Sequence, residues 1–162
     1  MNGFFEAKLK IFHVWQVANA VVLFALLLQP SLASAACMFT TATGVGFGAY
    51  NVFTTLANTS GTGNIGVNCN DNGASSFVVT LSTGQSHTYA SRIMRSGGNI
   101  LNYNLYTSAA RTVVWGDGTG GSNVMTASRR ASTTLNVFGE IPSGQDAMVG
   151  TYTDNIIAII NF

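Results

Sequence analysis

From Cys37 onward, no stretch of helix length repeats its apolar residues every three or four positions, so the core has to be built from strands. Short runs of β-branched and aromatic residues alternate with clusters of Gly, Asn, Ser and Thr, which is the spacing of an all-β sandwich. The run 63–70 (GNIGVNCN) puts Ile65, Val67 and Cys69 on one face, and 76–83 (SFVVTLST) does the same with Phe77, Val79 and Leu81. In 100–106 (ILNYNLY), Leu101, Tyr103 and Leu105 alternate with Asn102, Asn104 and Tyr106. VGFGAYNVF (45–53), RTVVW (111–115) and TTLNVFGEI (133–141) are further candidate strands. NTSGTGN, NDNGASS and GDGTGGSN supply turn material for short loops. Six or seven strands are expected in total.

The last run, GTYTDNIIAIINF (150–162), is among the most apolar. Tyr152, Ile156, Ala158, Ile160 and Phe162 share one face, and Ile157 and Ile159 make the other face apolar as well. A strand apolar on both faces is expected at the centre of a sheet, with a neighbour on each side. The sequence offers no run after Phe162 to supply the second neighbour, so the expectation is a free edge covered from outside the chain.

The N-terminal segment fixes the compartment. Lys8 and Lys10 precede an apolar stretch of 12 residues from Val17 to Leu28, and small residues follow at Ala33 and Ala35. A basic start, an apolar stretch too short for a bilayer and an A-x-A site predict a secretory signal peptide over residues 1–35. Its removal from 162 residues leaves 127, one domain's worth, and no membrane insertion in the mature form. A lipoprotein is the alternative, because Cys37 lies just past the apolar segment. Ser34, however, stands where a lipobox usually has Leu. Cys37 and Cys69 are an even pair in an exported chain and are expected to form a disulfide, with two free buried thiols as the alternative.

The mature chain carries five Arg (92, 95, 111, 129, 130) against five acids (Asp71, Asp117, Glu140, Asp146, Asp154), with no lysine. Zero formal charge without a basic stripe argues against nucleic acid as a partner. Catalysis finds little support. His87 is the one mature histidine, it sits in a polar GQSHTY stretch, and no G-x-S-x-G elbow is present. One His and two paired Cys do not make a zinc site, so no cofactor or metal is expected. GTGNIG (61–66) and GDGTGG (116–121) match a dinucleotide fingerprint by letter but lack its strand-before, helix-after setting. NCNDNG (68–73) reads as a hairpin turn, because the calcium-loop pattern fails at Asn68 and Val79. Tyr50, Tyr103, Tyr106, Trp115, Phe138 and Tyr152 could line a sugar-binding face, although aromatics at strand spacing are more often core.

In chain order, Cys37, FGAY (47–50), VNC (67–69), LSTG (81–84), Arg92 with Met94, LNYNLY (101–106), VVWGDG (113–118), VFGEIPSGQ (137–145) and GTYTDNIIAIINF (150–162) resemble the spore coat protein U domain family. The resemblance covers essentially the whole mature chain, 36–162. Many members are pilins of the archaic, Csu-type chaperone-usher pathway. It implies an incomplete immunoglobulin-like sandwich that lacks its last strand. A periplasmic chaperone lends that strand, an outer-membrane usher assembles the fibre, and a neighbouring pilin subunit then donates its N-terminal extension. The acceptor strand would be the one carrying Tyr152, Ile156, Ala158, Ile160 and Phe162. Glu140 and Asn155 stand where many relatives have Arg and Thr. Pilins of this class also carry a donor segment before the first Cys, whereas here Ala36 alone would remain after cleavage.

The reading is therefore a non-enzymatic, disulfide-linked subunit of an adhesive surface fibre, exported through the periplasm and placed at the fibre's distal end. The alternatives are a monomeric secreted carbohydrate-binding module and, more remotely, a secreted hydrolase centred on His87.

Overall fold

The structure is a computed structural model that describes residues 37–69, 76–128 and 132–162. The expected signal peptide, the Arg129–Arg130 pair and most of the NCNDNG turn lie outside the described residues. Eight strands are present among them: β1 (Cys37–Gly46), β2 (Thr62–Cys69), β3 (Ser76–Leu81), β4 (Arg92–Ser96), β5 (Asn99–Tyr106), β6 (Met125–Ser128), β7 (Thr133–Glu140) and β8 (Ala158–Asn161). There is no α-helix among the described residues, and one 3-10 turn covers Gly84–Ser86.

The strands form two antiparallel sheets, one ordered β1-β2-β7-β5-β4 and the other β6-β3-β8. Their facing sides close one apolar core, as in an immunoglobulin-like sandwich. Period-two alternation put the right residues there. Ile65, Val67 and Cys69 of β2, Phe77, Val79 and Leu81 of β3, and Leu101, Tyr103 and Leu105 of β5 are all buried, with Leu135 and Val137 of β7 opposite.

The disulfide is Cys37–Cys69, and it joins directly paired positions at the start of β1 and the end of β2. With its sulfur in this bond, Cys37 carries no thiol for a lipid.

Three expectations needed correction. The 45–53 run is not a strand: β1 ends at Gly46, and Phe47 turns into the core from the following loop. Only Ala158–Asn161 of the C-terminal run pairs as a strand; β8 is bonded to β3 and is an edge strand among the described residues, consistent with the free edge expected for it. RTVVW is held by two isolated bridges, Tyr106 with Val114 and Trp115 with Asn123. In each case the apolar pattern found residues that pack on the core, such as Phe47, Ile156 and Trp115, but it could not foresee the exposure of Phe53 and Ile157 or say which backbone groups bond to a neighbour.

Two buried polar groups pin the sheets together. Trp115 is fully buried and donates its ring N–H to Val79 O at 2.9 Å. Arg92, also with no exposed surface, donates to Ser82 O at 2.9 and 3.0 Å, Trp115 O at 2.7 Å and Asn104 Oδ1 at 2.7 Å. Burial of Asn104, on the expected solvent face of β5, follows from its role as partner to this guanidinium.

Candidate functional site

β1 is one of the two edge strands of its sheet and β8 one of the two of the other, and within the described residues each is paired on one side only. Between them runs a groove of about 500 Å3. One wall is β1, from Phe39 to Val45; the other is the C-terminal segment, from Tyr152 to Ala158. Its floor is the core itself, with Ile65, Leu81, Met94, Tyr103, Leu105 and Val137 reached directly from outside. A second cavity of about 710 Å3 shares Val45, Phe47, Met94 and Tyr152 with the first, so the opening continues past the loop after β1.

β1 shows the consequence of that opening. Phe39 pairs with Val67 and Ala42 with Ile65, both partners being buried, yet Phe39 and Ala42 are themselves exposed. Register shifts between Phe39 and Thr41 and between Thr43 and Gly46 bend the strand along its length. The strand is thus covered on its β2 side and open on the groove side.

The C-terminal wall alternates strictly. Tyr152, Asp154, Ile156, Ala158 and Ile160 are half-buried, while Thr151, Thr153, Asn155, Ile157 and Ile159 are exposed. Tyr152, Ile156, Ala158 and Ile160 pack against the core, and Phe162 remains 58% exposed. Asp154 shares the inward face, a position that the apolar pattern passed over even though its parity with Tyr152 marks it. Its Oδ2 accepts the Tyr103 hydroxyl at 2.7 Å. Its Oδ1 accepts Gln85 N at 3.1 Å, Gln85 Nε2 at 3.2 Å and its neighbour Asn155 N at 2.8 Å. Burial, and then the bond to Asp154, raise the Tyr103 phenol far above its ordinary value.

The wall is tied down at two further points. Arg95 of β4 and Thr153 exchange backbone bonds of 2.9 and 3.0 Å, and Ser82 bonds Ile157 through N–H and hydroxyl at 2.9 Å each. The segment therefore starts against the five-stranded sheet and crosses to the three-stranded one at β8, flanking the groove throughout.

The Spore Coat Protein U domain family matches residues 22–158. The chain belongs to that family. Its match begins at Val22, ahead of the expected cleavage after Ala35. A curated relative, Protein U of Myxococcus xanthus, is 31% identical over 110 residues, which are 63% of this chain and 60% of that protein. The chain thus spans less than two thirds of that relative's length. Among solved structures, a chain in the CsuC–CsuE chaperone–tip adhesion subunit pre-assembly complex from archaic chaperone-usher Csu pili of Acinetobacter baumannii superposes with a TM-score of 0.50. It covers 80% of this chain and 40% of that one at 19% identity, a likeness of fold.

The family's sequence signatures have structural roles here. Gln145 of the IPSGQ run donates Nε2 to Asn102 O at 2.9 Å and accepts Asn102 N on Oε1 at 2.7 Å, so its amide pairs with β5 as a strand would. Tyr50 of FGAY donates to Pro142 O at 2.9 Å. Trp115 and Tyr103 are buried, which removes both rings from any sugar-stacking face; Tyr106 and Phe138 form a cross-strand pair. His87 is exposed just after the 3-10 turn, and no group of three or more metal-ligating side chains occurs among the described residues.

Proposed function

We propose that this protein is a subunit of an adhesive surface fibre built by the chaperone-usher route, and that the groove between β1 and β8 receives a β-strand from a partner. The observation that carries this reading is a pair of strand edges facing each other across a floor of core side chains. Among the described residues β1 and β8 are each paired with a strand on one side only, which leaves edges for an extended peptide, and the floor presents pockets to alternate side chains, the two requirements of strand addition. Three or four donor side chains buried there at about 1.5–3 kcal/mol each amount to roughly 5–12 kcal/mol. That is comparable with the stability of a whole small domain, so a chaperone strand would come first and a neighbouring subunit's strand would replace it.

The finer reading adds removal of residues 1–35 on export, a mature domain over 36–162, and a place at the distal end of the fibre. A donor must span several groove positions at no more than about 3.3–3.6 Å per residue, which Ala36 alone does not provide. A subunit that receives a strand without giving one ends the series.

Two measurements test this. Expressed in a periplasm with and without the chaperone of its own host, the protein should accumulate as a stable one-to-one complex in the first case and be lost in the second. Equal solubility and heat stability as a free monomer overturns the acceptor role. The N-terminus of the secreted protein should be Ala36 or Cys37. A start more than about ten residues earlier, a reach of roughly 33 Å, with self-polymerisation of the pure protein, makes it a shaft subunit instead.

A further inference from the structure

A separate cleft of about 430 Å3 lies where β3 runs into the 3-10 turn, lined in part by His87, Thr88, Tyr89, Asp117, Thr119 and Ile159. Of the residues lining the acceptor groove, Leu81 alone reaches it, so either opening can be filled while the other is occupied. Its volume is that of a small-ligand site.

The loop that forms one wall is held rigidly. Thr119 donates its N–H at 2.9 Å and its hydroxyl at 2.7 Å to the same Asp117 oxygen, Oδ1, and these bonds hold the carboxyl below its usual range. Ser122 is buried; its hydroxyl donates to Thr119 O at 2.7 Å and accepts Gly118 N at 3.3 Å. A β-carbon at Gly116 would overlap Ser122 and the Tyr89 ring, so the loop is seated directly on Tyr89. Tyr89 in turn donates its hydroxyl to Leu81 O at 2.9 Å and lies 5.2 Å from the buried Arg92 guanidinium.

His87 also lines the cleft, with a left-handed backbone of φ 59°. His87 is the C-cap of the 3-10 turn, a position where a left-handed backbone is common, and its side chain is exposed at the cleft. Ile159, 53% exposed on the outer face of β8, adds an apolar surface.

We propose that this cleft binds a neutral saccharide. The ionised Asp117 carboxylate, held by Thr119 at Oδ1 with the Tyr89 hydroxyl beside it, keeps acceptor capacity for ligand hydroxyls, the His87 ring adds a second polar group, and Ile159 offers an apolar surface to the C–H face of a pyranose. One carboxylate without a cationic side chain among the lining residues disfavours an anionic ligand. The site is independent of the fibre reading and uses none of the rings of the sequence-based sugar face.

The test is saturation-transfer NMR on the purified protein, alone or with the chaperone that keeps it soluble, using the methyl glycosides of glucose, galactose and mannose at millimolar concentration. At least one should receive saturation. Asp117→Asn, which keeps an acceptor for Thr119, should weaken that glycoside about tenfold or more through loss of a charge-assisted bond. His87→Gly should abolish binding while leaving the thermal midpoint unchanged or raised, since glycine accepts this backbone. Asn136→Ala, on another surface, should bind like the parent. If no glycoside receives saturation, or if binding survives Asp117→Asn undiminished, the proposal fails; the Asn variant decides alone should His87→Gly not fold.

Discussion

The Tyr103 hydroxyl donates to Asp154 Oδ2 at 2.7 Å, and this bond links the middle of β5 to the segment that walls the groove. Tyr103 is buried in the core, whereas Asp154 belongs to a stretch with little regular strand pairing. The carboxylate therefore acts as the pin that keeps the acceptor wall in place before a partner strand arrives.

Tyr103→Phe should cost about 1.5–3 kcal/mol, the range for a bond to a charged partner. Its pH dependence has a definite sign. The folded-state value of the phenol lies above its unfolded value of about 10, so the stability it contributes is fully present below pH 10 and is lost as the pH rises through the folded value. Denaturant melts of parent and variant should differ most at neutral pH and converge under alkaline conditions. A gap that widens with pH would contradict this assignment.

Gly84 has φ 63°, and a β-carbon there would overlap the Asp154 carboxylate. Gly84→Ala should thus combine a left-handed penalty of about 1–2 kcal/mol with displacement of the pin. The measurable outcome is a lower thermal midpoint together with weaker retention of a bound donor peptide. An Ala variant equal to the parent in both would mean that Asp154 does not hold the wall.

Much of the core was legible in the chain because burial follows parity along a strand: Phe77, Val79 and Leu81 declare themselves by alternation alone. Pairing is a different quantity. Nothing local distinguishes Ala158–Asn161, which bonds β3, from Gly150–Ile157, which is extended but tied down at points. Asp154 was passed over because an acidic residue in an apolar run looks like a solvent position until the buried Tyr103 hydroxyl is known. Arg92 is similar, since its partners are mainly carbonyls of residues 10 and 23 positions away. The 45–53 run has strand composition, but Gly48 adopts φ 67° and breaks it just after Phe47 enters the core.

The disulfide closes a loop of sequence separation 32, which on the chain-entropy model is worth about 3–4 kcal/mol. Labelling of the denatured, unreduced protein should find no free thiol, and Cys37→Ala/Cys69→Ala should lower the denaturant midpoint accordingly. Because the bond clamps the start of β1 to β2, its loss should also loosen the groove wall and weaken donor retention. A double variant of parental stability would show that strand pairing alone holds β1.

Ile160 and Thr151 provide the sharpest comparison for the groove. Ile160 lies opposite Val79, half-buried and packed on the core, whereas Thr151 is exposed before the wall begins its crossing. Aspartate at 160, just beyond the Ala158 end of the groove wall, places a charge against the core, and an unpaired buried charge costs several kcal/mol or unfolds the site. Ile160→Asp should therefore abolish chaperone capture and accumulation of the protein, while Thr151→Asp, with its charge in water, should leave both near parental levels. Circular dichroism of any Ile160→Asp protein recovered separates loss of the fold from loss of the acceptor surface. A folded Ile160→Asp protein that still forms the chaperone complex would place the partner strand elsewhere, and equal losses in both variants would show general damage in place of a directional groove.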